Sequence, residues 1–219
     1  MISGDAKYKV SIVLTLFNSK SYYLRAVNSV LNQTFKNYEL VIVDDGSTDA
    51  IETELFFLLK QNPDFIYIRH SNKGHALSLN TGIKISTAKL ITFLDSDDEY
   101  KPGHIEERVN YFENNKSVDL IYSPATIIGD EEDLFVPDAR DKNKLIHLND
   151  CVIGGTFFGK RQVFEELQGF KNVYSHDSEF FERAKNKFVT MKFNSPTYIY
   201  YRNNPGSIIS QLKKNMIDG

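Results

Sequence analysis

Short apolar runs and longer amphipathic segments alternate along the first half of the chain. Runs rich in β-branched and aliphatic residues are typical of buried strands, and apolar residues spaced three and four apart are typical of helices. We therefore predict strands at 10–16, 38–43, 65–69, 90–94 and 120–123. We predict helices at 22–32, 51–60, 75–85 and 102–114. Strands that alternate with helices in this way indicate βαβ units and a largely parallel sheet.

The alternation weakens after Ser123. Residues 130–150 are charged and poorly periodic, so we predict that most of them form loop. Further along we predict strands at 154–158, 188–192 and 197–201, and helices at 161–167 and 177–186. The whole chain, residues 1–219, is expected to be a single α/β domain. Helices would flank a Rossmann-like, mostly parallel central sheet, with a small mixed portion towards the C-terminus.

The composition narrows the range of functions. The chain has 219 residues, a net charge of −3 and a pI of about 6.0, so no global basic field favours nucleic acid. Cys151 is the only cysteine, which excludes a disulfide within the chain and suits a reducing, intracellular compartment. Residues 1–9 lack the apolar run of a secretory signal, and no apolar run approaches the roughly 20 residues of a membrane span.

Two acidic clusters, residues 44–47 (DDGS) and 95–98 (DSDD), each follow directly on a predicted strand. In an open α/β sheet, ligands bind at the carboxyl ends of the strands. Carboxylates gathered there repel one another unless a positive group joins them, and a divalent cation carrying a phosphate-bearing ligand is the natural partner. Helix capping by Ser47 or Thr48 is an alternative for the first cluster, although it does not account for two adjacent aspartates.

The second cluster has a spacing that suits a shared ligand. Residues two apart at a strand end point to the same side, so Asp95 and Asp97 can converge on one cation or one ribose. Mg²⁺ and Mn²⁺ prefer such hard oxygen ligands. A solvated acidic turn is one alternative. A calcium-binding EF-hand is another, with Glu106 at its closing position, but Tyr100 stands where that loop needs glycine.

These clusters belong to an ordered set of motifs. The set comprises 10–18 (VSIVLTLFN), 29–34 (SVLNQT), 43–49 (VDDGSTD), 80–83 (NTGI), 93–98 (FLDSDD), 176–179 (HDSE), 201–202 (YR) and 205–207 (PGS). It resembles the family 2 glycosyltransferases of the GT-A fold, over about residues 8–210. Each motif is weak alone, whereas the whole set in this order is specific. The resemblance implies a GT-A type fold and transfer of a sugar from a nucleotide.

The resemblance also implies which residues bind the donor. Asp45 would accept a hydrogen bond from the uracil N3–H, with Asp44 close by. Asp95 would lie near the ribose or the sugar. Asp97 would be the metal ligand, with Asp98 as its neighbour or substitute, and the cation would be Mg²⁺ or Mn²⁺. The remaining donor-binding candidates are Thr15, Phe17, Asn18 and Asn80.

By the same resemblance, Asp177 is the candidate base that deprotonates the acceptor hydroxyl. One such carboxylate suffices for a single displacement with inversion. The residue before it is usually acidic in the family, whereas this chain has His176, which would lower the pKa of the base if charged or simply orient it. Acidic residues also complement the dipole at a helix N-terminus, and both explanations can hold together.

Later motifs carry further implications and departures. Arg202 would offer a bidentate fork to the donor phosphates, the alternative being an ordinary surface turn at the following Pro-Gly. Leu79 stands where relatives often have arginine, and Asn204 where many have histidine. Gly154 and Gly155 would either admit close approach of an acceptor sugar or serve a tight turn.

We therefore expect an inverting, metal-dependent hexosyl- or N-acetylhexosaminyltransferase that uses a nucleoside-diphosphate sugar, most simply a UDP-sugar. Residues 8–123 would bind the donor, 124–210 would form the acceptor side, and 211–219 would be a tail. The resemblance implies a glycan or lipid-linked glycan acceptor and a role in cell-envelope or surface polysaccharide synthesis. It also implies a cytoplasmic location, with peripheral contact at the inner face of the cell membrane as an option. Sugar-nucleotide synthesis is disfavoured because residues 15–19 are not a glycine-rich basic loop. A catalytically inactive nucleotide-sugar-binding module remains the alternative.

Overall fold

A computed structural model describes residues 7–139, 141 and 143–204. Its strands are β1 (Val10–Leu16), β2 (Tyr38–Asp44), β3 (Ile66–Arg69), β4 (Leu90–Asp95), β5 (Glu99–Tyr100), β6 (Leu120–Tyr122), β7 (Thr126–Ile128), β8 (Phe135–Pro137), β9 (Leu145–His147), β10 (Phe158–Lys160), β11 (Thr190–Lys192) and β12 (Tyr198–Tyr201). Its α-helices are α1 (Tyr23–Leu31), α2 (Glu52–Gln61), α3 (His75–Ile85), α4 (His104–Asn114), α5 (Arg161–Glu166) and α6 (His176–Lys185).

Seven strands form the central sheet, in the order β11-β6-β10-β4-β1-β2-β3. Strands β4, β1, β2 and β3 are mutually parallel, and β10 runs antiparallel between β4 and β6. Strand β11 pairs in parallel with β6 at the far edge. A second sheet has the order β5-β12-β7, and β8 pairs with β9 in a hairpin. The mostly parallel α/β sheet predicted from the sequence is therefore confirmed.

The central strands are buried on both faces. Every residue of β1 is buried, and its side chains alternate between two apolar cores. Ile12 and Leu14 enter the core beneath α1, α2 and α4, whereas Val13 enters the core beneath α3, α5 and α6. A strand covered by helices on both faces has no exposed position, which is why β1 appears in the sequence as a mostly apolar run whose two polar residues, Ser11 and Thr15, are also buried.

Two predictions for the second half of the chain are wrong, and two short strands were not predicted. The stretch 130–150 is not mostly loop, because it contains the β8–β9 hairpin and two short 3₁₀ turns. Residues 154–156 form a 3₁₀ turn, so the strand predicted from Gly154 begins only at Phe158. Strands β5 and β7 have two and three residues and were not predicted. Strands this short carry too few residues for a period-two pattern to be visible.

Side chains of α4 join the two sheets. Arg108 is fully buried and donates to the Thr197 hydroxyl (2.7 Å) and the Ser123 hydroxyl (2.8 Å). His104 contacts the same threonine through Nδ1 (3.0 Å). This seam holds β12 at the end of β4 and therefore positions the residues described next.

Among the residues that the structure describes, no helix combines the length and apolar character needed to cross a bilayer.

Candidate functional site

The register of the parallel strands brings the two acidic clusters to one edge of the sheet. Leu16 pairs with Asp44, and Thr15 pairs with Asp95. Because both pairs lie at the carboxyl ends of their strands, the residues that follow β1, β2 and β4 share one rim. Phe17 extends from this rim and is 51% exposed, so its ring is available to a ligand. The sequence-based expectation that these motifs meet is confirmed by their placement.

Asp45 organises the loop that leads into α3. Its carboxylate accepts from the backbone N–H groups of Lys73 (2.8 Å) and Gly74 (2.9 Å), and His70 Nδ1 lies 3.3 Å from Oδ1. Gly46 follows with φ +78°, and a Cβ there would lie 2.8 Å from the Asn72 backbone nitrogen. Only glycine fits that position. Beside this turn is an open cleft of about 510 Å³, lined by Gly46, Arg69, His70, Ser71 and Asn72.

Asp44 and Asn18, two other candidate donor-binding residues, hold the loops of this rim in place. Asp44 is buried and accepts from the Ser47 backbone (2.8 Å) and the Tyr67 hydroxyl (2.9 Å). Asn18 has φ +48°, and its side-chain oxygen accepts from the Thr48 backbone (2.7 Å). These contacts bind the loops after β1 and β2 to each other. Helix α2 begins only at Glu52 and has no side-chain cap, so the alternative of capping by Ser47 or Thr48 is wrong.

The three carboxylates after β4 have three different environments. Asp95 lies 2.9 Å from His75 Nε2, and Asp97 accepts from the Asn204 amide (2.9 Å). Asp98 is fully buried, and it accepts from the Tyr198 hydroxyl (2.6 Å) and the Tyr201 backbone (2.8 Å). Arg25 also supports the cluster by donating to the Asp97 carbonyl.

The burial of Asp98 corrects its predicted role. Both of its oxygens are bonded to protein groups, and burial, with the charges of Asp97 and Asp95, raises the pKa of this carboxyl well above its ordinary value. A sealed carboxyl of this kind braces β12 and does not suit a metal ion. The EF-hand alternative is also wrong: Tyr100 is buried in β5, and Glu106 on α4 accepts a hydrogen bond from Thr34.

Asp97 therefore remains the metal-ligand candidate. Among the described residues, no group of three or more His, Cys, Asp and Glu side chains is arranged to hold a metal ion alone. Mg²⁺ typically uses one or two carboxylates and takes its other ligands from phosphates and water. A single partly exposed carboxylate at this rim, backed by the Asp95 charge, fits a cation that arrives with a diphosphate.

His75 is a site residue that sequence reasoning missed. It begins α3, and its ring lies between Asp95 and His176, with the two imidazole centroids 5.1 Å apart. Burial favours its neutral form, but the charge and hydrogen bond of Asp95, together with the charges of Asp177 and Asp97, outweigh burial and raise the pKa of His75. Its position directly after Gly74, at the start of a helix that faces the rim, was the available signal.

Asp177 lies in the first turn of α6, as predicted. Its carboxylate accepts from the backbone N–H groups of Gly154 (3.3 Å) and Ser178 (2.8 Å) and from the Ser175 hydroxyl (3.1 Å). A Cβ at Gly154 would lie 3.0 Å from the Asp177 Cβ, so the absent side chain is what lets this backbone approach. Burial and the nearby His75 lower the pKa of His176. His176 therefore favours its neutral form, and its ring packs against His75.

Two other candidates are placed differently from the expectation. The Asn80 amide donates to the Phe170 carbonyl (2.7 Å) and accepts from its N–H (2.8 Å), so Asn80 clamps a loop and does not face the rim. Arg202 is 1% exposed, and its Nε donates to the Asp133 carbonyl (3.3 Å). The two terminal nitrogens of Arg202 are buried without a hydrogen-bond partner within the described residues. The Pro-Gly-Ser motif at 205–207 lies outside those residues.

Comparison with known proteins decides the family. The profile of Glycosyl transferase family 2 matches residues 11–205. The chain belongs to this family. An uncharacterised glycosyltransferase of Rickettsia prowazekii is 31% identical over 189 residues, covering 78% of this chain and 58% of the relative. One from Rickettsia felis is 40% identical over 110 residues, covering 50% and 18%. The chain thus spans about a fifth to three fifths of the length of these relatives.

Solved structures agree on the fold of this family member. S. aureus TarS in complex with UDP-GlcNAc superposes with a TM-score of 0.72 at 18% identity, covering 92% of this chain and 60% of that one. The mannosyltransferase PcManGT from Pyrobaculum calidifontis, in complex with GDP-Man and Mn²⁺, superposes with a TM-score of 0.68 at 16% identity, covering 90% and 57%. The predicted family and GT-A type fold are confirmed, and the roles assigned to single residues stay predictions.

Proposed function

We propose that this chain transfers a sugar from a UDP-linked donor to a hydroxyl acceptor, with inversion and with Mg²⁺ or Mn²⁺. One observation carries the proposal: Asp45, Asp95 and Asp97 share a rim of the sheet, and His75 and His176 connect that rim to Asp177. The family supplies the reaction class. Structures of the same fold that hold UDP-GlcNAc or GDP-Man support a nucleotide sugar as the donor.

The donor would lie along the rim from β2 to β4. The cleft beside Asp45 takes the base, and Phe17 offers an exposed ring face for stacking. Asp45 is 4% exposed and both of its oxygens already accept backbone N–H groups, so it shapes this cleft, and the preference for uracil rests on the family resemblance. Asp95 then faces the ribose or sugar hydroxyls, and the diphosphate lies over Asp97.

The chemistry is a single displacement. Asp177 takes the proton from the acceptor hydroxyl as the acceptor oxygen bonds to the anomeric carbon. The bond from that carbon to the diphosphate oxygen breaks, and the nucleoside diphosphate leaves with the electron pair. A bound divalent cation supplies the positive charge that stabilises the leaving diphosphate. Backbone and side-chain donors hold Asp177 by both oxygens, which fixes its direction before the acceptor arrives.

The cellular setting follows from the family resemblance. We propose a glycan or lipid-linked glycan acceptor, a role in cell-envelope or surface polysaccharide synthesis, and action on the cytoplasmic side of the membrane. Gly154 and Gly155 bring the chain's own Asp177 and Tyr198 close to the backbone, so these glycines already have a packing role without any sugar. The acceptor itself would approach from the side of α6, where Asp177 lies.

The decisive experiment measures binding first and transfer second. UDP-, GDP- and TDP-sugars are screened by thermal shift with and without Mn²⁺, because a ligand that prefers the native state raises Tm by mass action. We expect a UDP-sugar to give the largest shift, and Asp97→Asn to abolish its Mn²⁺ dependence. Asp64→Asn is the matched control, since Asp64 pairs with Lys7 on the exposed surface. UDP binding without transfer or hydrolysis across the donor panel would instead support an inactive binding module.

A further inference from the structure

The His75–Asp95 contact gives Asp95 a different partner from the neighbouring carboxylate Asp97. His75 Nε2 lies 2.9 Å from Asp95 Oδ1, and the two side chains are 27% and 32% exposed. Imidazole nitrogens donate from a fixed ring, so this contact sets the direction of the carboxylate as well as balancing its charge. Asp97, two residues further on, bonds instead to the Asn204 amide.

The ring of His75 is itself held from two sides. Asp45 binds the backbone N–H groups of Lys73 and Gly74, directly before His75, and so fixes where α3 begins. The edge of the His176 ring packs against His75 with centroids 5.1 Å apart and planes at 69°. A shift of His75 would therefore disturb the loop that leads into α3 at one end and the N-terminus of α6 at the other.

We propose that His75 is a positioning residue that reserves Asp95 for the hydroxyl groups of the nucleotide sugar and keeps that carboxylate out of the coordination of the cation. The inference rests on the function proposed above. With one oxygen of Asp95 bonded to His75, the cation is left to Asp97 and the diphosphate. Without His75, Asp95 becomes a second hard oxygen ligand beside Asp97.

The test compares three variants. His75→Ala removes the contact, and His75→Gln restores a side-chain N–H donor to Asp95. His147→Gln is the control, since His147 lies on the β8–β9 hairpin. Mn²⁺ affinity in the presence of UDP is measured by electron paramagnetic resonance of free Mn²⁺. We expect H75A to bind Mn²⁺ about fivefold more tightly and to have a several-fold higher donor KM, with H75Q and H147Q within about twofold of wild type.

The increase in metal affinity is the informative readout, because a variant that merely folds poorly would bind metal more weakly. Unchanged Mn²⁺ affinity and donor KM in H75A would overturn the proposal, as would an H75Q protein that behaves like H75A. If the wild type binds UDP and transfers sugar while H75A matches it, only the role of His75 fails. If the wild type binds neither UDP nor Mn²⁺, both the proposed function and this inference fail.

Discussion

The two parts of the domain are built in different ways. In residues 8–123, the half that we propose binds the nucleotide, strands β1 and β2 have seven residues and β4 has six, and nearly all of these residues are buried. In the half that we propose faces the acceptor, described for 124–204, β7 to β11 have three residues each, and β12 has four. The longest strands therefore lie in the first half, although the second half also contributes β10 and β11 to the central sheet.

This difference has a functional meaning. The backbone pairing of the parallel strands fixes their register, and this register sets the positions of the strand ends that form the nucleotide rim. The acceptor-side half depends on particular contacts, such as Gly155 against Tyr198 and Asn80 against Phe170. The loops of this region, as distinct from its strands β10 and β11 in the central sheet, would be free to change acceptor contacts without disturbing the sheet, in line with the tendency of function to reside in variable segments on a rigid scaffold.

The largest expected effect separates chemistry from nucleotide binding. Asp177→Asn should lower kcat by ~10²–10⁴-fold, because the amide cannot accept the acceptor proton. UDP affinity should stay within about twofold, since Asp177 lies in the acceptor-side half. Transfer assays and calorimetry measure the two quantities. Glu182→Gln, on the same helix and paired with Lys185 at the surface, is the control that should leave both unchanged. Full activity in Asp177→Asn would remove the proposed base.

The next effect tests the tight packing of the acceptor-side half. In Gly155→Ala the new Cβ would lie 2.4 Å from the Tyr198 hydroxyl, which is buried and bonded to Asp98. We expect a loss of about 1–3 kcal/mol in the free energy of unfolding, measured by urea denaturation. In Gly103→Ala the nearest atom is Glu107 Oε1 at 3.2 Å, at the flexible end of a side chain, so the change should stay within about 0.5 kcal/mol.

A comparison across the halves sharpens this result. Gly82→Ala would place a Cβ 2.2 Å from Val13 Cγ1, in the middle of the central sheet. The overpacking cost should be at least as large as for Gly155, because β1 is paired on both sides and cannot move. A smaller loss for Gly82→Ala than for Gly155→Ala would contradict the view that the nucleotide half is the more rigid one.

The same difference explains how far the sequence could predict the fold. Helix α3 and strand β1 were predicted with their observed bounds because long periodic runs are buried for reasons that are local to each run. The β8–β9 hairpin was not predicted, since its strands have three residues each and pair only with each other. The turn at Gly154 was mistaken for a strand because its conformation depends on distant Tyr198 and Asp177.

The candidate site shows the same limit. Strand ends visible in the sequence placed Asp45 and Asp97 at one edge of the sheet, whereas Asp177 was assigned from the family resemblance alone. The sequence could not show that Asp98 is sealed by Tyr198, since that contact joins residues a hundred positions apart. Nor could it show that His75 meets Asp95. Spacing along the chain indicates which residues lie at an edge, whereas side-chain partners across elements require the fold.

The last predicted effect depends on pH and concerns the seam between the halves. His104 is fully buried, stacked on Tyr100 with ring centroids 3.8 Å apart, and faces Arg108, Thr197 and Tyr198. Burial, followed by the Arg108 charge, lowers the pKa of His104 well below its ordinary value. Above about pH 6.5 the histidine is neutral in both the folded and the unfolded chain, so it adds no pH dependence there.

As the pH falls below about 6.5, His104 binds a proton in the unfolded chain but stays neutral in the native protein. The native state should therefore lose up to about 1.4 kcal/mol per pH unit from this residue. Other groups titrate as well, so the measured quantity is the difference in unfolding free energy between wild type and His104→Phe, which keeps the stacking on Tyr100. That difference should shift in favour of the variant as the pH falls. A constant difference between about pH 7.5 and about pH 5 would show that the seam tolerates a charge at His104.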